Sequence, residues 1–233
     1  ESDYGPTARK LRLILSAQTQ HELTIYDRPS SLAVNRGTND VTTWGTMARA
    51  ETAPWRPHES LQLMARYGAD LYKDQVTSTA ETELVRLEEV IPATRGLYLS
   101  DSSYTWGGVW TEIEMRLFEQ LTVRAGGRCA YIDAFSPEDQ ESGTKGIDRT
   151  WAPLVGNVGL EWWATEWLTL LLNADQGFRA PNLDDLTSRQ RTGPGFQIEN
   201  ADLDPESGLT LEAGGRLATP LVEIDAWAYR STL

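Results

Sequence analysis

Two histidines, one cysteine and a surplus of carboxylates are the groups with which this chain could do chemistry. His21 and His58 stand too far apart in sequence to match a metal-binding spacing. Cys129 has no second thiol to pair with, and it lies in a strand-like stretch where a small side chain would serve packing. Acid–base catalysis needs two carboxylates held at a set distance across a cleft. Here the carboxylates fall in connecting segments or alternate along strands, so no catalytic set, metal set or cofactor cradle is expected. Asp and Glu outnumber Lys and Arg by 34 to 21, a formal net charge of -13. Phosphate backbones are bound by clustered basic residues, so nucleic acid is excluded as a partner.

The elements that would position any functional group alternate with a period of two. At 60–71, Leu61, Leu63, Ala65, Tyr67, Ala69 and Leu71 oppose Gln62, Arg66, Gly68 and Asp70. At 111–117, Ile113, Met115 and Leu117 oppose Glu112, Glu114 and Arg116. Similar runs at 11–18, 121–131, 157–162, 168–175, 209–217 and 222–226, with a weaker one at 41–52, make about nine strands. No stretch reaches the ~18 consecutive apolar residues of a membrane helix. The mean hydropathy of -0.42 still suits a membrane β-barrel, whose strands alternate apolar and polar.

The connections alternate in length. Short ones fall at 53–59, 118–120, 164–166 and 218–220, and long ones at about 24–40, 73–106, 132–153 and 177–207. Outer-membrane barrels have short periplasmic turns and long extracellular loops. A soluble β-sandwich has no reason to place every long connection at one end. Trp55, Trp162, Trp163 and Trp167 sit beside short turns, with Trp106 and Trp151 near the other strand ends, as an interfacial aromatic belt would have them. Within 73–106, the acidic start and the spacing of Leu84, Leu87 and Ile91 allow a short helix over 79–91. Both ends look cut, and the last residues read as the interior of a strand.

Two segments carry a family resemblance. Gly177, Phe178, Arg179, Ala180, Pro181 and Asn182 follow an apolar strand, and Asn200, Leu203, Pro205 and Glu206 precede the next one. Together they resemble the strand-end motifs of TonB-dependent outer-membrane receptors. Ala201, Asp204 and Gly208 depart from the usual pattern. The match is specific over about 110–230, and nothing resembles the family's plug domain or TonB-contacting box. Pro181 cannot donate to a ladder and would help end a strand, Asn182 can cap a helical turn, and Arg179 can pin the loop to the rim or reach lipid phosphate.

The resemblance implies an all-β fold, an antiparallel up-and-down transmembrane barrel of which residues 1–233 form a partial barrel, with the plug domain and remaining strands outside it. It implies TonB-dependent uptake of a scarce nutrient such as a ferric siderophore or haem-type iron complex, across the outer membrane of a Gram-negative bacterium. Its partners would be the TonB complex, outer-membrane lipid and a small iron complex. A passive porin-like barrel and a soluble β-sandwich binding module are the rival readings. Ligand contacts would come from loops and lumen-facing side chains. Tyr26, Arg28, Tyr98, Tyr104, Trp106, Trp151 and Arg191 are the candidates, since aromatic and guanidinium groups suit such ligands. His21, placed near the outer end of the first strand, is read as a strand-end polar residue, with haem ligation as the alternative.

Overall fold

The computed structural model describes residues 8–27, 32–192 and 195–233, with the backbone alone at 190–192. In chain order the strands are β1 (Lys10–Tyr26), β2 (Ala33–Glu51), β3 (Trp55–His58), β4 (Leu61–Leu84), β5 (Glu89–Pro92), β6 (Ser102–Leu117), β7 (Leu121–Ser136), β8 (Ile147–Trp151), β9 (Leu154–Thr165) and β10 (Leu168–Arg179). Helix α1 (Leu183–Thr187) follows, then β11 (Gln190–Thr192), β12 (Gly195–Gln197), β13 (Glu206–Ala218) and β14 (Glu223–Thr232). The long strands pair antiparallel in the order β1-β2-β4-β6-β7-β9-β10-β13-β14, a plain up-and-down meander. β1 and β14 are its two open edges, so the sheet is a partial barrel of nine long strands, as the alternation predicts.

Register puts every side chain on one of two faces. The outer face carries Leu11, Leu13, Leu15, Leu61, Leu63, Leu71, Val109, Ile113, Leu154, Val158, Leu170, Leu172 and Leu211. Leu15 is 73% exposed and Leu154 78%, because no second layer covers this face. A soluble sandwich would bury such a face against another sheet, so that rival reading fails here. On β4 the apolar outer positions run from Leu61 to Leu71. That is about 33 Å of strand, or about 24 Å at a tilt of roughly 45°, matching the ~25 Å apolar band of a membrane barrel.

Three sequence expectations need correction. The connection at 24–40 shrinks to residues 27–32, because β1 and β2 stay paired far beyond the apolar band. β4 likewise continues to Leu84, with Lys73, Gln75, Thr77, Thr79, Glu81 and Glu83 on its outer face. These extensions read as loops because neither face is apolar. The helix at 79–91 is absent: Thr79, Thr82 and Leu84 lie in β4, a turn covers 85–88, and β5 pairs back onto β4. Cross-strand bonds decide it, with Arg36 on β2 holding both Glu81 and Glu83. Cys129, expected to serve packing, is instead exposed on the outer face of β7.

Candidate functional site

The lumen face is polar, and its two ends differ. Toward the short-turn end, Lys10, Glu51, Arg66, Glu112, Glu114, Arg124 and Glu161 form one ion-pair ladder across β1, β2, β4, β6, β7 and β9. Arg66 reaches Glu112 at 2.6 Å and Glu114 at 3.5 Å, and Arg124 reaches Glu114 at 3.2 Å and Glu161 at 3.4 Å. One level up, Arg128 of β7 crosses over β6 and grips both oxygens of Asp70 on β4 at 2.7 and 2.8 Å. It can cross because Gly108 lies beneath: a Cβ there would sit 3.1 Å from the guanidinium carbon and 2.6 Å from a backbone oxygen. Trp110 lies flat over Gly68 and Tyr72 over Gly45 in the same manner, so large rings line the wall without lifting off it.

At the long-loop end a folded cap covers the mouth. Its apolar centre is Leu186 of α1 with Ala134 and Ile147 of the wall, and Tyr104, Trp151, Ala201 and Leu203 pack around it. Arg95 ties three connections together. Its guanidinium donates to the carbonyls of Gly96 (3.1 Å), Leu97 (2.8 Å) and Thr187 (2.6 Å) and to the Thr144 hydroxyl (2.8 Å). Burial, then the nearby Arg189, pulls the Arg95 pKa down, so the site strains against its charge without removing it. Arg189 pairs with Glu199 through two hydrogen bonds and donates to the Ser142 carbonyl at 3.0 Å. The Arg189 hydrogen bond holds the Glu199 carboxyl below the usual range, and hydrogen bonds from Ser142 do the same for Asp139.

The motif residues build the hinge of this cap. Arg179, the last residue of β10, faces the lumen side opposite Glu206, the first of β13. It bonds Asp185 at 2.8 Å and Glu206 at 3.4 Å, pinning α1 to the rim and pointing away from lipid. Gly177 and Phe178 precede it on β10, while Ala180 and buried Pro181 leave the strand. Asn182 caps α1: its side chain accepts from the Asp185 N–H at 2.8 Å, and the Asp185 carboxylate accepts from the Asn182 N–H at 3.1 Å. Asn200 accepts from the Asp202 N–H at 3.2 Å, Leu203 packs into the cap, and Pro205 leads into Glu206.

Among the candidate contacts, four converge on the mouth. Tyr104 and Trp106 face the lumen from β6, where Trp106 stacks on Tyr72 at 5.3 Å and 16° and meets Tyr104 at 5.8 Å. Trp151 faces the lumen with the Arg149 guanidinium 5.3 Å above its ring. The lumen orientation of Trp106, Trp151 and Trp163 removes them from the interfacial belt, while Trp55 and Trp162 do point outward. Tyr98 is half-buried and donates to Asp184 at 3.3 Å; burial first, then the charges of Asp184 and Glu22, push its hydroxyl up to about 12. Tyr26 is the last residue of edge strand β1 and is exposed. Arg28 lies outside the described residues. Arg191 pairs with Phe196 in the β11–β12 hairpin, and its side chain is not described. His21 sits inside β1, on the outer face, against Asp40 at 2.7 Å, so it is neither at the strand end nor turned toward the lumen.

Tyr72, Asp74, Arg95 and Arg189 escaped the sequence reading. Continuing the β4 parity past Leu71 places Tyr72 and Asp74 on the lumen face with Arg66 and Asp70. Nothing in the sequence marks Arg95, whose partners are mostly backbone carbonyls from distant segments.

Residues 3–233 match the family model for the "TonB dependent receptor-like, beta-barrel" domain. Comparison with curated proteins gave no match. Among solved structures, the chain is similar to the copper transporter OprC, with 17% identity and a TM-score of 0.77 over 99% of this chain and 36% of that one. It is similar to the Serratia marcescens hemophore receptor HasR, solved with its hemophore HasA and heme, with 14% identity and a TM-score of 0.69 over 97% of this chain and 41% of that one. It also resembles the ferric yersiniabactin uptake receptor FyuA from Yersinia pestis, with 13% identity and a TM-score of 0.58 over 95% and 33%. The chain thus spans well under half the length of each of these proteins, and at such identities the likeness speaks for the fold.

Proposed function

This chain belongs to the TonB-dependent receptors as part of their β-barrel, and from that premise we propose that it walls an outer-membrane channel importing a scarce nutrient. A ferric siderophore or a haem-type iron complex is the cargo most in keeping with it. In this reading the plug domain and the other barrel strands lie outside residues 1–233, and TonB supplies energy through that plug. The carrying observation is the two-faced open sheet, apolar outside over the height of a bilayer and charged inside, with a folded cap over one end only. That HasR was solved with its hemophore and heme, and that FyuA is a ferric yersiniabactin uptake receptor, supports the choice of iron complexes.

Cargo would meet the mouth where Tyr98, Tyr104, Trp106 and Trp151 gather; Tyr26, Arg28 and Arg191 stay as candidates on the sequence alone. Trp106 is the strongest of these, being half-exposed on the lumen wall beside a stacked tyrosine. Tyr104 and Trp151 also hold the cap, so their substitution would disturb loops as well as ligand. No step here makes or breaks a covalent bond. The test is growth and radiolabelled iron uptake in a strain carrying or lacking the full-length gene, each with and without TonB. Uptake should require both. A passive porin would keep importing without TonB, and that result would overturn the proposal.

A further inference from the structure

We propose that the lumen mouth holds a recognition site for an organic cation, formed by Asp74, Tyr72, Tyr104 and Trp106, so that the imported molecule carries an ammonium-type group. This deepens the uptake reading above and rests on it for its biological meaning. Asp74 and Tyr104 stand directly opposite one another on β4 and β6, and Tyr72 and Trp106 form the next lumen-facing pair. Adjacent strands lie ~4.8 Å apart and same-face neighbours ~6.6 Å apart, so the four side chains make one patch the size of a small cationic headgroup. Tyr72 and Trp106 are nearly parallel and Tyr104 is tilted 43° from Trp106, which sets ring faces beside a carboxylate. Such faces attract weakly hydrated cations through their quadrupoles.

Asp74 lacks what its neighbours have. Asp70, two residues down the same face, is gripped by Arg128 at both oxygens. Glu51, Glu112, Glu114 and Glu161 are all in the arginine ladder. Among the described residues, half-buried Asp74 has no basic group within ion-pair distance, and its carboxylate accepts only from the Thr43 hydroxyl at 2.6 Å. A partly desolvated carboxylate without a counter-ion is unfavourable, and a bound cation would offset that. A metal ion is the poorer fit, since no group of three or more metal-ligating side chains occurs among the described residues.

An anion is poorly served at the same mouth. The described arginines around it are already engaged: Arg95 by carbonyls, Arg149 by the Ala201 carbonyl, Arg179 by Asp185 and Glu206, and Arg189 by Glu199. The Glu22 and Asp184 charges act on Tyr98 in the same region, and the chain carries -13 overall. The field at the mouth therefore favours approach of positive charge.

The test uses the full-length receptor in detergent, with choline as the cation and 3,3-dimethylbutanol as its neutral isostere, read by ligand-observed NMR titration. Choline should bind saturably, and the isostere about tenfold or more weakly, as a cation–aromatic and carboxylate site requires. Asp74→Asn, which keeps size and shape, should weaken choline by about tenfold, and Trp106→Leu by a similar factor. Asp225→Asn, on the far edge strand, should leave it unchanged. Thermal unfolding of each variant reports whether the fold is intact. Equal binding of choline and its isostere, undiminished binding by Asp74→Asn, or no binding of choline at all would overturn the proposal. TonB is absent from this sample, so a failed uptake experiment and a failed cation site give separable results.

Discussion

The arginines of the lumen wall and those of the cap are the same residue put to different uses. In the wall, Arg66, Arg124 and Arg128 pair with carboxylates on strands that backbone bonds already hold together. In the cap, Arg95, Arg149 and Arg189 donate to carbonyls in segments that have few ladder partners. Backbone carbonyls away from water need partners wherever they lie. A sheet supplies them by repetition, whereas irregular loops need a side chain with several donors in fixed directions, which is what a guanidinium offers. The wall should therefore survive loss of its arginines, and the cap should not.

Substitutions in the intact receptor test whether wall and cap differ in this way. Arg95→Ala should have the largest effect, about 3 kcal/mol locally, since each deserted buried carbonyl costs ~1–3 kcal/mol. Hydrogen exchange should quicken together at 93–101, 139–144 and 182–189 while β6 and β7 stay protected; a response confined to 93–101 would show that the segments are not coupled. Arg128→Leu should cost about 2 kcal/mol in thermal unfolding, since it leaves Asp70 without its charge-assisted partner, with amide protection in β6 and β7 unchanged. Loss of that protection would mean the wall leans on its arginines too.

Acid should act next, and on the cap first. The Glu199 carboxyl has a folded pKa below its unfolded one, so its contribution is present above the ordinary carboxylate range and is lost as pH falls through the lowered value. Amide exchange at 189 and 195–199, corrected for intrinsic pH dependence, should rise as pH falls through and below the ordinary carboxylate range, before the strands respond. A cap indifferent to acid would demote the Arg189–Glu199 pair. The smallest effect belongs to Thr122, fully buried on the wall with no hydrogen-bond partner for its hydroxyl among the described residues. Thr122→Val should change stability by no more than about 0.5 kcal/mol, toward stabilisation, since an unsatisfied buried hydroxyl is replaced by a methyl. Marked destabilisation would reveal a partner for that hydroxyl.

The wall was legible in the sequence and the cap mostly was not. Period-two alternation found each long strand within the apolar band, because lipid on one side and water on the other enforce it. Where β2 and β4 rise past the band, as at Thr38–Thr42 and Lys73–Glu83, both faces meet water and the pattern loses its contrast. The motif residues were readable down to the Asn182 cap and the Arg179 clamp because those contacts are local. Arg95 and Thr187 are joined across 92 positions, and no local rule reaches that far. Asp74 fell between the two cases, its face predictable from parity but its missing counter-ion visible only in three dimensions.

The strand extensions also set a height. Beyond Leu71, β4 climbs through residues 72–84, about 43 Å of strand or about 30 Å after a tilt of roughly 45°. With β1 and β2 it forms a screen standing roughly as tall above the hydrocarbon as the hydrocarbon is thick, while Tyr72 and Asp74 of the mouth lie at its foot, one to three residues past Leu71. Cargo arriving from outside would pass this screen through a salty aqueous layer, where charge is screened within about 10 Å, and meet the mouth's aromatic and acidic groups only near the bilayer's low dielectric.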